Sequence, residues 1–237
     1  MFNNLLFISL APVLIIAFYI YNRDKYEKEP LSHLLKALLA GVLIVLPVVL
    51  IEKFLSMPSE MLEGLPAAAY TAFIVAGLTE EGMKFLAFYV FFWNNKNFNE
   101  KFDGIVYSVY IALGFAGIEN IIYVFSGGYG VGLVRALTAV PAHALFGIVM
   151  GYNLGLARFH PERRTGYLIL AFLLPFFFHG LYDFLLMSNS PILLILFIPV
   201  FIYFWIGGFK KMSIASKAST FRHKSNDETG AHFDLKL

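Results

Sequence analysis

Residues 67–93 read AAAYTAFIVAGLTEEGMKFLAFYVFFW, an apolar run long enough to cross a bilayer as a helix. Its middle carries two adjacent glutamates, Glu80 and Glu81, and a lysine one turn on, Lys84. On insertion scales a charge at the centre of a membrane helix costs about 2.5–3.5 kcal/mol, so such groups face a protein interior or a water-filled cavity. The run therefore predicts one helix of a bundle, its polar face turned toward other helices.

The rest of the chain agrees. Of its 237 residues 59% are hydrophobic and only 14% charged, with a mean hydropathy of +0.70. A soluble domain carries about a quarter charged residues. The expected fold is all-α, a polytopic helical bundle in the lipid bilayer, with seven spans at about 3–21, 33–51, 67–93, 104–125, 133–156, 166–188 and 191–208. Helix stoppers punctuate the connections: KEP ending at Pro30, NNKNFN at 94–99, SGGYG at 126–130, HPERRTG at 160–166 and SNSP at 188–191. Residues 1–208 form the membrane domain, and the polar stretch 209–237 reads as a disordered cytoplasmic tail. The N-terminus lacks a basic n-region and a small-residue cleavage site, so it reads as an uncleaved first span. A net charge of +2 gives no reason to expect nucleic acid, and the absence of cysteine excludes thiolate catalysis and cysteine-ligated metal.

Positive charge orients the bundle. The first, third and fifth connections and the adjoining helix ends hold Arg23, Lys25, Lys28, Lys36, Lys96, Lys101, Arg158, Arg163 and Arg164. The opposite side offers only Lys53 and Arg135. Cations collect on the cytoplasmic side, which predicts the N-terminus outside and the C-terminus in the cytoplasm.

The polar groups at membrane depth form a short set. They are Glu80, Glu81 and Lys84 on the third span, Glu119 and Asn120 on the fourth, His143 on the fifth, and His179 and Asp183 on the sixth. At about 1.5 Å rise per residue, Asp183 and Glu119 lie roughly 8–9 Å below the outer ends, His179 and His143 roughly 14–15 Å, and the glutamate pair roughly 20 Å. Four helices thus deliver acids and imidazoles to one slab, which predicts a single site. His143 continues into Gly147, Gly151 and Gly155, a small-residue stripe that turns it into the bundle. Simpler readings exist for single members. Glu80 and Lys84 can be a plain i,i+4 ion pair, Asn120 a packing residue, Asp183 an orienting partner of His179, and Arg135 a snorkelling cation.

Such a set can hydrolyse a peptide bond. A glutamate can activate water, and two histidines with a carboxylate can hold Zn²⁺ with one position left for that water. The same histidines can instead donate to an oxyanion with no ion present. There is no H-E-x-x-H helix to decide between them.

Four motifs, EEGMK (Glu80, Glu81, Lys84), FAGIEN (Glu119, Asn120), PAHALFGIVMG (His143) and HGLYDF (His179, Asp183), occur in that order. With the flanking KYEKEP, FDGIVYS and GYNLGLARF they resemble the PrsW family of bacterial intramembrane proteases, distant relatives of the CAAX-processing and bacteriocin-processing membrane enzymes. The resemblance covers about residues 5 to 208. It implies a protease of the bacterial cell membrane that makes the first cut in a single-pass membrane anti-sigma factor, on the extracytoplasmic side, in an envelope-stress response. It implies catalytic roles for Glu80, Glu81 and His179, with His143, His179 and Glu119 as metal ligands and Lys84, Asn120 and Asp183 in support. In the wider superfamily histidine replaces the glutamate at position 119. A proton- or ion-coupled transporter or a sensor would also bury Glu and His. A transporter would be expected to show an internal repeat with broken helices in matching halves, and none is visible.

Overall fold

The structure, a computed structural model, describes residues 2–222. Among these residues the fold is all-helical, without a strand. Its α-helices are α1 (Phe2–Arg23), α2 (Leu31–Leu55), α3 (Gly64–Ala69), α4 (Leu78–Phe91), α5 (Lys101–Leu137), α6 (Ala139–Phe159), α7 (Arg164–Met187) and α8 (Pro191–Lys217). A π-helical stretch, Tyr70–Gly77, joins α3 to α4 without a break. Five stretches are long and apolar enough to cross a membrane: Asn3–Arg23, Leu31–Met61, Lys101–Phe159, Pro161–Met187 and Pro191–Lys217. Their outer faces present exposed Leu14, Ile15, Leu43, Leu46, Leu50 and Ile195, the side chains lipid solvates at no cost. α8 runs on past the expected boundary at 208, and of the expected tail residues 223–237 lie outside the described residues.

Lys101–Phe159 is far too long for one crossing and doubles back. Gly128 sits at φ 78°, ψ −169°, backbone that only glycine enters freely, and splits α5 into limbs 101–127 and 129–137. The returning limb lies along the outgoing one, so that Arg135 hydrogen-bonds Asn120 and a Cβ on Gly132 would meet Val124. Proline lies inside α1, α2, α7 and α8, at Pro12, Pro47, Pro175 and Pro199. Membrane helices tolerate this where neighbours re-satisfy the freed carbonyls.

The first limb of α5 is the axis of the bundle. Every residue from Phe102 to Gly117 is buried, as expected of a helix that is apolar all round. It packs against α1, α2 and α6. Small residues set the spacing. A Cβ on Gly41 of α2 would stand 2.0 Å from the carbonyl of Ile111, and one on Gly114 would stand 2.0 Å from that of Leu38. On the other side a Cβ on Gly151 would fall 2.1 Å from the Gly104 carbonyl, and Gly147 and Gly155 are also against α5 backbone. The stripe below His143 is thus the seam between α5 and α6, and it aims the imidazole inward.

Gly151→Ala opposes backbone with no flexible atom to yield. It should lower stability by at least about 3 kcal/mol, the upper end of ordinary overpacking. Gly166→Ala, with nothing within 4 Å of the new carbon, should be neutral or slightly stabilising. Thermal melting of the two detergent-solubilised variants against the parent chain measures the difference.

Candidate active site

α4 opens at Leu78, directly after the π stretch, and presents Glu80 and Glu81 in its first turn. Adjacent residues of a helix differ by about 100° in direction, so the pair divides. Glu80 lines a cavity of about 520 Å³, whereas Glu81 is fully buried behind it. Lys84 closes the group. Its ammonium donates to Glu80 Oε2 at 2.9 Å, Glu81 Oε1 at 2.8 Å and His143 Nδ1 at 3.1 Å, and lies 4.3 Å from the centre of the Phe115 ring. The expected i,i+4 pair therefore exists as one arm of a three-way contact.

α6 and α7 supply the imidazoles. His143 accepts from Lys84 at Nδ1, which leaves its Nε2 to donate to Glu119 Oε2 at 2.8 Å; the tautomer is assigned from these partners. His179 Nδ1 lies 2.9 Å from Glu81 Oε1, and its Nε2 lies 3.3 Å from Asp183 Oδ2 and 3.9 Å from Glu80 Oε1. The two rings stand 5.3 Å apart and nearly perpendicular, with His179 stacked on Phe146. All the acids and imidazoles expected to converge meet within one contact network. Asn120 is its outer brace: its amide donates to the Ser9 carbonyl of α1 and accepts from Arg135.

Two residues read differently from the sequence. Arg135 does not snorkel. The reversal at Gly128 carries it back to Glu119, 3.1 Å away, and over the ring of Tyr123. Glu52, near the end of α2, was not singled out, yet it lines the same cavity as Glu80, Glu119, His143 and His179. Its one signal is a carboxylate closing the unbroken apolar run 37–51, which reads as interfacial when taken alone.

The donors suit a metal ion. Glu80, Glu81, His143 and His179 each offer one ligand atom, all within 4.8 Å of one another and all from buried residues. Imidazole with carboxylate is a set that Zn²⁺ accepts. Among the described residues Glu81 Oε2 is buried without a hydrogen-bond partner, an acceptor left over for a cation. Five carboxylates (Glu52, Glu80, Glu81, Glu119 and Asp183) line or back the cavity against two permanent cations, Lys84 and Arg135. Glu119 stands outside the four-donor group. It holds the far nitrogen of His143, which is how a carboxylate orients a metal-binding imidazole.

Comparison with known proteins agrees with the geometry. The sequence model of the "PrsW family intramembrane metalloprotease" matches residues 29–207. A Protease PrsW of Clostridioides difficile (strain 630) is 40% identical over 208 residues, 85% of this chain and 87% of that protein. A Protease PrsW of Geobacillus kaustophilus (strain HTA426) is 43% identical over 187 residues, 79% of this chain and 81% of that protein. One of Bacillus subtilis (strain 168) is 34% identical over 204 residues, 86% of this chain and 91% of that protein. No solved structure matches the chain. The chain belongs to the PrsW family of intramembrane metalloproteases and is a multi-pass intramembrane protease of the bacterial membrane.

Lys84→Met removes the one charge that Glu80 and Glu81 share. Breaking a buried pair by deleting one partner typically costs about 3–5 kcal/mol, because the other charge stays buried and alone. The variant should melt well below the parent chain, and Lys84→Met combined with Glu81→Gln should recover part of the loss. A combined variant no more stable than Lys84→Met alone would show that the contact carries no such weight.

Proposed function

We propose that this intramembrane protease makes the first cut in a single-pass membrane anti-sigma factor, near the extracytoplasmic face, and so starts an envelope-stress response. The observation that carries the catalytic part is the buried Glu80–Glu81–Lys84–His143–His179 network at the wall of an open cavity. The substrate class follows from the family resemblance and from the expected topology of seven spans with the N-terminus outside. In that topology the cavity lies in the outer half of the bilayer.

Roles follow from what each side chain touches. Glu80 faces the cavity, so it is the base that takes a proton from water and the acid that returns one to the leaving amine. Glu81 stays behind the wall, where it fixes Lys84 and His179. His143 and His179, with Glu81, would hold Zn²⁺ and leave one position for water, whose pKa the ion would lower and whose attack on a polarised scissile carbonyl it would favour. Lys84 holds Glu81 and His143, two of those three donors, and Glu80 beside them. Glu119 keeps the His143 ring in register through Nε2, and Arg135 holds Glu119. Asp183 does the same for His179. A substrate carbonyl in the cavity must come from an unwound segment, since a helix shields its own peptide bonds.

A tagged single-pass anti-sigma factor in liposomes tests the proposal. Glu80→Gln should lower its cleavage by about 10²–10⁴-fold, the usual contribution of a general base. Glu81→Gln and His179→Ala should be equally inactive, and Asp183→Asn should retain partial activity. Metal analysis of the purified chain should return stoichiometric zinc, lost in His143→Ala and His179→Ala. Undiminished cutting by Glu80→Gln would refute the base assignment. Full activity without bound metal would leave the histidines as oxyanion donors.

A further inference from the structure

At the other end of α5 lies a second acidic cluster that catalysis does not use. Asp24, Glu27 and Glu29 come from the loop between α1 and α2, the KYEKEP stretch and the residue before it. Asp103 comes from the first turn of α5, in FDGIVYS. At 1.5 Å per residue α5 separates Asp103 from Glu119 by roughly 24 Å, so this is not an extension of the active site.

Glu27, Glu29 and Asp103 each offer a carboxylate oxygen within 4.8 Å of the others. Asp103 is 0% exposed, Asp24 1% and Glu29 3%. Some of their oxygens are accounted for. Asp103 Oδ2 caps α5 by accepting from the backbone of Asn99 and Glu100, the Tyr107 hydroxyl donates to Glu29 Oε2, and Asp24 Oδ2 accepts from the Glu29 backbone. The remaining oxygens are not. Among the described residues Glu27 Oε2 and Asp24 Oδ1 are buried with no hydrogen-bond partner, and Asp103 Oδ1 and Glu29 Oε1 have none outside the acids themselves. Among the described residues no lysine, arginine or histidine makes an ion pair with any of them; nearby Lys28 lies over the ring of Tyr21 instead. Buried acceptors without donors are costly and point to a group not made of protein.

The geometry points to a second cation site, in which Glu27, Glu29 and Asp103 bind a hard divalent ion of the Mg²⁺ or Ca²⁺ class and clasp the α1–α2 loop to the start of α5. The donors are all oxygen, with no imidazole, which suits those ions and not zinc. The ion would serve stability and helix registry rather than chemistry, because roughly 24 Å of α5 separates it from Glu119 at the active site.

Mn²⁺, followed by electron paramagnetic resonance on the full detergent-solubilised chain, is the probe. The His143→Ala/His179→Ala chain lacks the imidazoles of the active site and should still bind stoichiometric Mn²⁺, displaced by Mg²⁺ or Ca²⁺. In that chain Glu29→Gln with Asp103→Asn should abolish the binding. Glu27→Gln, at the half-buried rim, should weaken it at least about 10-fold, since a ligand charge is lost. In the otherwise unaltered chain Mg²⁺ or Ca²⁺ should raise the melting temperature, and Glu27→Gln should reduce that rise. Mn²⁺ binding that is absent from the histidine-free chain, or equal with and without Glu27→Gln, would overturn the site. So would a melting temperature indifferent to both ions, as expected if shared protons alone neutralise the acids.

Discussion

One ammonium group, on Lys84, accepts the task that lipid leaves undone. A bilayer interior offers no water to a buried carboxylate, so Glu80 and Glu81 are tolerable only where protein supplies the partners. Lys84 supplies them from the same helix and reaches His143 on another. His179 completes the set from α7 through Glu81. Helices α4, α6 and α7 are thereby held in register at one point by groups that cannot be exposed separately. The chemistry and the packing are the same contacts, and altering either alters both.

The glycine seams make that register possible. Polar side chains can bridge helices only if the helices approach closely, and α5 meets α2 and α6 with backbone against backbone at Gly41, Gly114, Gly104 and Gly151. The helical rod at the centre then carries two polar ends. Toward one lie Glu119 and Asn120, which brace His143 and Arg135; at the other Asp103 caps the helix and joins the acids of the α1–α2 loop.

Much of this was legible in the sequence because lipid simplifies the reading. Polarity at depth is expensive, so Glu80, Glu81, His143, His179, Glu119 and Asp183 stood out without any knowledge of contacts. The estimate by depth left the glutamates some 5 Å below the histidines at 1.5 Å per residue, whereas Glu81 and His179 touch. The π stretch Tyr70–Gly77 accounts for part of the difference. Its i→i+5 bonds place more residues in each turn, so the chain advances less and the pair sits higher. Hydropathy carries no trace of that. Arg135 was misread for a related reason: its surroundings depend on a reversal at Gly128, and a sequence shows the glycine but not which groups the returning limb will meet. Glu52 was hidden by its position at a helix end, where a charge calls for no explanation.

The adjacency of Glu80 and Glu81 is the feature that separates a hydrolase from the other uses of buried acid. Two neighbours about 100° apart on one helix meet different surroundings. Glu80 is at the cavity wall, where a water and a carbonyl can reach it, and Glu81 is sealed behind with Lys84 and His179. On the proposed mechanism one acid is placed to react and the other to keep the reacting groups from moving. That division needs rigid backing on one side and open space on the other, which a conduit lined evenly from end to end would not provide.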